Sequence, residues 1–133
     1  MFEDTTSLLF AVAGIVLVGF VVANVVTGVF GGPDAEEREE IRALLAEGDA
    51  LLLDVRTPRE FSANAIDGAT NIPVQRLDER LAEVGAKDKP VAVYCRSGSR
   101  SGRAARMLEA AGYEAVYDLG GLRSARRVVE GGE

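Results

Sequence analysis

Val91-Ala92-Val93-Tyr94-Cys95-Arg96-Ser97-Gly98-Ser99-Arg100-Ser101-Gly102 is the stretch on which the reading of this chain turns. The apolar run up to Tyr94 predicts a buried strand, and the spacing from Ser101 onward predicts a helix, so Cys95 opens a small basic loop at a helix N-terminus. Backbone N–H groups left unpaired there point at whatever the sulfur carries. Glycine and serine let the backbone turn tightly, and Arg96 and Arg100 add positive charge, so each of these favours the ionised sulfur. The chain contains one cysteine and no histidine. An intramolecular disulfide, a multi-cysteine metal site and a protease-like Cys-His pair are thereby excluded, and activation of Cys95 falls to backbone dipoles and arginine. A buried structural cysteine is not expected beside two arginines and three serines, so Cys95 reads as a nucleophile.

Outward from this loop, short apolar runs alternate with amphipathic stretches. Residues 35–47 place Ile41, Leu44 and Leu45 on one stripe among charges, which predicts a surface helix. Residues 50–55 read as a buried parallel strand interrupted by Asp54. Thr57-Pro58-Arg59-Glu60 is a helix start, with a threonine cap, proline at the first helical position and glutamate three residues after the cap. Residues 69–72 predict another strand. After Pro73 a helix is expected with Val74, Leu77, Leu81 and Val84 on one face, and residues 87–90 turn the chain back. Beyond the Cys95 loop, Ala104, Leu108 and Ala111 form the buried face of a helix that Gly112 ends. Residues 115–119 supply a last strand, Gly120-Gly121 a turn, and residues 122–129 a final helix.

This order predicts an α/β domain with a central, mainly parallel sheet covered on both faces. Ligands of such sheets bind outside the carboxyl ends of the strands. Cys95 lies at one such end, and Asp54 and Arg56 lie at another. Either Arg56 or Asp54 approaches the same crevice, or the two cap local backbone or pair with each other.

The first 33 residues are of a different kind. No charge occurs from Thr5 to Pro33, and residues 8–30 are apolar but for Asn24 and Thr27. As a helix they would span about 34 Å, enough for a hydrocarbon core of about 30 Å. No lysine or arginine precedes them, and the run is long for a signal peptide, so an uncleaved transmembrane helix through the lipid bilayer is expected. Arg38 and Arg42 follow it, which points to a single-pass protein with its larger domain in the cytoplasm. The expected organisation is an anchor and Gly-Pro linker at 1–33 and a domain at 34–133. That domain holds all 15 basic residues and 19 of the 21 acidic ones, a net charge of −4. No basic field for nucleic acid is present.

Taken together, Leu53-Asp54-Val55-Arg56 with Pro58-Arg59-Glu60-Phe61, then Ile66-Asp67-Gly68-Ala69-Thr70-Asn71-Ile72-Pro73, the Cys95 loop, and Leu119-Gly120-Gly121 resemble a single rhodanese domain over residues 36–129. The resemblance implies a three-layer rhodanese-like fold and a sulfurtransferase. Cys95 would take the outer sulfur of a donor such as thiosulfate as a persulfide and pass it to cyanide or a thiol, with ping-pong kinetics. Arg96, Ser97, Gly98, Ser99, Arg100 and Ser101 would bind the anionic donor and cradle the persulfide, with Asp54 and Arg56 in support. No metal or cofactor is called for. A thioredoxin-like protein or a membrane protein is a further acceptor that this reading admits.

Loop length bears on the alternatives. Tyrosine phosphatases use cysteine, five residues and arginine, whereas four residues separate Cys95 from Arg100 and position 101 is serine. That leaves phosphatase or arsenate reductase chemistry as a minor reading. A non-catalytic rhodanese-like module that recruits a partner at the membrane is the other. Two departures from the family pattern are Ala65, where many members have histidine, and the lack of any tryptophan after the double glycine.

Overall fold

Residues 32–131 are described by the structure, a computed structural model. In chain order they form α1 (Ala35–Glu47), β1 (Leu51–Asp54), α2 (Pro58–Ala63), β2 (Thr70–Asn71), a 3-10 helix (Val74–Glu79), α3 (Leu81–Val84), β3 (Val91–Cys95), α4 (Ser99–Ala110), β4 (Val116–Gly121) and α5 (Leu122–Glu130). The transmembrane helix expected over residues 8–30 lies outside the described residues. Among those described, no helix is long and apolar enough to cross a membrane.

The four strands make one sheet in the order β2-β1-β3-β4, every pairing parallel. Strand alternation divides the core in two. Leu53, Val91, Val93 and Cys95 pack on one side with Val74, Leu77, Val84, Ala104 and Leu108 from the 3-10 helix, α3 and α4. Leu52, Ala92 and Tyr94 alternate with them and are equally buried, as are Ile41 of α1 and Ala125 and Val128 of α5. The sheet is therefore covered on both faces, as the alternating pattern requires, and β3 is buried along its whole length. Burying one Val side chain contributes about 1.5–3 kcal/mol, so a strand that buries Val91 and Val93 along with Ala92, Tyr94 and Cys95 anchors whatever follows it.

Three local expectations are corrected. The single helix after Pro73 is two pieces, a 3-10 helix and the short α3, broken at Arg80, whose φ is −120°. Its apolar positions are spaced by three, four and three, and a 3-10 turn brings Val74 and Leu77 over one another before the chain restarts at Leu81. The Tyr113 hydroxyl then ties α3 to the far end of α4 through the carbonyls of Leu81 (3.1 Å) and Gly85 (2.9 Å). Helix α4 begins at Ser99 rather than Ser101, so half of the Cys95 loop is its first turn. Gly120-Gly121 is the end of β4 rather than a separate turn, reached through a bulge where the pairing steps from Val93↔Asp118 to Tyr94↔Gly120.

Candidate functional site

Cys95 is the last residue of the central strand β3, and the chain curls directly over its sulfur. The Gly98 N–H donates to Cys95 Sγ at 3.0 Å. Gly98 is the N-cap of α4 with φ +104°, a left-handed conformation that a side chain would strain, and no side chain caps the helix. The uncapped N-terminus is thus turned to the thiol. Burial pushes the Cys95 pKa up, but the Ser101 hydroxyl and the N–H groups of Ser101, Gly98 and Ser97 outweigh it, and the thiol titrates below its ordinary value. Ser101 is fully buried, and its hydroxyl also lies 3.0 Å from the Gly98 carbonyl.

Cys95 itself has no exposed surface. The loop's polar composition does not announce this. Arg96, Ser97 and Ser99 are exposed to solvent while the backbone N–H of Gly98 between them closes over the sulfur. The cradle is backed by the double glycine. Ser97 bridges to Gly121, and the Leu122 N–H donates to the Arg96 carbonyl at 3.3 Å, so the loop also caps α5. A Cβ on Gly121 would sit 2.6 Å from the Arg96 carbonyl oxygen. Only glycine permits that approach, which explains the Gly120-Gly121 landmark in steric terms.

The two loop arginines differ. Arg96 is exposed, whereas Arg100 donates through Nη1 to Glu60 Oε1 at 2.6 Å and through Nη2 to Glu60 Oε2 at 3.0 Å. That hydrogen bonding, together with bonds from Thr57, holds the Glu60 carboxyl down to about 2. Arg100 is therefore not free to clasp an anionic donor as expected, and the strongest influences lowering the Cys95 pKa are the hydrogen bonds of the loop rather than guanidinium charge. The sequence reading assigns Glu60 only its place in the capping box with Thr57, which the structure does show, with Thr57 Oγ1 accepting from the Glu60 N–H at 3.2 Å. Its second role joins α2 to α4 across 40 positions of sequence, and no local pattern signals it.

Asp54 and Arg56 take the pairing alternative. The Arg56 Nη2 lies 2.7 Å from Asp54 Oδ2, with both side chains almost fully buried. Arg56 also donates to the Asn64 carbonyl at 2.5 Å and lies 5.6 Å from the centroid of the Tyr94 ring. The Tyr94 hydroxyl accepts from the Ile66 N–H at 3.2 Å, and burial pushes its phenol up to about 12. This network buttresses β1 and β3 beneath the loop and presents no charge to a ligand. Position 65, where the family histidine is missing, offers its backbone instead: Arg126 reaches the Ala65 carbonyl (3.5 Å) and the Asn64 side chain. Among the described residues no group of three or more acidic, cysteine or histidine side chains comes together to hold a metal.

A family model described as "Rhodanese-like domain" matches residues 37–125. An uncharacterized protein of Bacillus subtilis, YqhL, is 46% identical over 83 residues, which are 62% of this chain and 64% of that protein. The thiosulfate sulfurtransferase PspE of Escherichia coli is 40% identical over 72 residues, covering 53% of this chain and 69% of the enzyme. Among solved structures, a human single-domain sulfurtransferase superposes with a TM-score of 0.57 at 32% identity, over 65% of this chain and 89% of that one.

Proposed function

Since the chain belongs to the rhodanese-like domain family, we propose that it is a sulfurtransferase that moves a sulfane sulfur from thiosulfate or a similar donor to a thiol or cyanide through a Cys95 persulfide. The observation that carries this reading is the Gly98 N–H donated to the Cys95 sulfur at 3.0 Å from the uncapped N-terminus of α4, with Ser97 and Ser101 also holding the thiol pKa down. In the first half-reaction the Cys95 thiolate attacks the outer sulfur of thiosulfate. The bond between that sulfur and the sulfonate sulfur breaks, and sulfite departs with the electron pair. The resulting persulfide is an anion, and preorganised donors stabilise charge as it develops on the terminal sulfur. In the second half-reaction an acceptor thiolate or cyanide takes that sulfur, and Cys95 leaves as the thiolate it began as. Arg96, exposed at the loop, supplies the positive charge for the incoming dianion.

Residues 8–30 would hold this chemistry beside a bilayer, with the domain on the cytoplasmic side. Its supports are an uncharged run long enough to span and the arginines that follow it. Reporter fusions at the C-terminus test the orientation, and activity of an exported reporter would overturn it.

The decisive measurement for the chemistry is mass spectrometry of the full chain after exposure to thiosulfate. One sulfur atom should be added at Cys95 and removed by a thiol, while Cys95→Ser acquires none and loses thiocyanate formation from thiosulfate and cyanide. Equal rates for the two proteins would rule out the nucleophile.

A further inference from the structure

Helix α2 and the loop that holds Cys95 are distant in sequence, yet one carboxylate serves both. Glu60 caps α2 and grips Arg100 with both oxygens, and the pair is only partly exposed, at 29% for the arginine side chain and 24% for the glutamate. Arg100 sits in the first turn of α4, whose N-cap Gly98 donates to the Cys95 sulfur, and a Cys95 thiolate adds to the Glu60 carboxylate in holding its guanidinium charged. Of the other charged groups on the elements around the loop, Arg59 of α2, Asp78 of the 3-10 helix, Arg103, Arg106 and Glu109 of α4 and Arg127 of α5 are exposed, and Arg126 turns to Asn64 and Ala65. Asp54 and Arg56 neutralise each other inside the fold. Asp118 of β4 accepts the Gly120 N–H at 2.9 Å. Arg76 and Glu79 of the 3-10 helix pair at its exposed surface, and Arg96 and Arg123 are exposed.

We propose that Glu60 is a positioning residue that sets the charge felt by Cys95: its two-pronged grip on Arg100 keeps an uncompensated guanidinium from acting on the sulfur. The proposal rests on the sulfur-transfer reading for its consequence in turnover. An over-stabilised thiolate is a weaker nucleophile, since nucleophilicity falls with thiol pKa. The loop's N–H groups already favour the ionised sulfur, so a second, unbalanced cation would lower the intrinsic reactivity of the thiolate further. Glu60 divides the labour of the two arginines. It withdraws Arg100 from the donor and leaves Arg96 to meet it.

The test is alkylation of the full-length chain by iodoacetamide across pH, followed by mass at Cys95, the chain's one thiol. It uses no sulfur donor, so its outcome stands apart from whether the protein transfers sulfur. Glu60→Gln, which keeps a capping side chain at that position, should lower the apparent pKa of Cys95 by about half to one pH unit and cut the high-pH plateau rate about two- to threefold. Arg100→Gln should raise the pKa. Glu60→Asp, which restores the charge, should return it towards the parent value. A Glu60→Gln pKa that is unchanged or higher, or a Glu60→Asp protein that behaves as Gln, overturns the proposal. If Glu60→Gln does not fold, Arg100→Gln decides alone: a pKa equal to or below the parent's overturns it.

Discussion

Two arginine-carboxylate pairs have their carboxylates six positions apart in sequence, at Asp54 and Glu60, and perform different tasks. Asp54 and Arg56 are sealed inside the fold, with the arginine additionally bound to the Asn64 carbonyl and set against the Tyr94 ring. Glu60 and Arg100 join two helices at the edge of the thiol site and keep a quarter or so of their side-chain surface in water. The geometry of the pairs is similar and their burial is not. A buried pair is sequestered from ligands and costs most when one partner is removed, whereas a partly exposed pair is screened by solvent and contributes little stability.

The largest effect should come from breaking the buried pair. Arg56→Ala leaves the Asp54 carboxylate without its partner and should cost about 3–5 kcal/mol in urea unfolding. Glu60→Ala should cost about 1 kcal/mol, from a cap and a screened pair. Equal losses would remove burial as the distinction between the two.

Next in size is the glycine behind the loop. Gly121→Ala places a Cβ 2.6 Å from the Arg96 carbonyl oxygen, so the loop must move. Overpacking of this kind costs about 1–3 kcal/mol. A cradle displaced by even about 1 Å should lose sulfur transfer by up to about a hundredfold. Gly102→Ala is the control, since a Cβ there meets the Asp118 carboxylate at an ordinary 3.5 Å. It should fold and turn over like the parent.

A smaller effect separates the two loop arginines. Arg96→Gln should raise the thiosulfate KM about three- to tenfold, as expected for one exposed charge on a dianion, with stability within about 0.5 kcal/mol of the parent. A KM unmoved by this substitution would deny Arg96 its role.

The smallest is an acid effect. Glu60 is held down to about 2 from an ordinary 4.5, so its carboxylate is favoured in the folded state. A depressed carboxylate contributes stability that is complete above the unfolded value and lost as pH falls through the folded one. Urea midpoints should therefore drop between pH 4.5 and 2, and Glu60→Gln should flatten that part of the decline.

Most of the elements are legible in the chain because their signals are local. The capping box at Thr57 and Glu60, the apolar run of β3 and the stripe of α1 each lie within a few residues, and all three appear where they are expected. The 3-10 helix escapes because spacings of three and four suit an α-helix equally well, and only packing against α4 separates them. Asp54 and Arg56, two apart at a strand end, leave a site and a strut equally open, since burial is a property of the assembled sheet.

The sequence by itself determined that the chain holds a single cysteine, the length of the loop that follows it and the absence of any histidine, because each is a matter of residue identity and count. Tertiary structure alone decided how the charges are apportioned. Glu60 meets Arg100 only when α2 folds beside α4, the Arg96 carbonyl meets Gly121 only when β4 pairs with β3, and Cys95 is buried within the assembled core. Those contacts depend on distances between segments that no local pattern encodes.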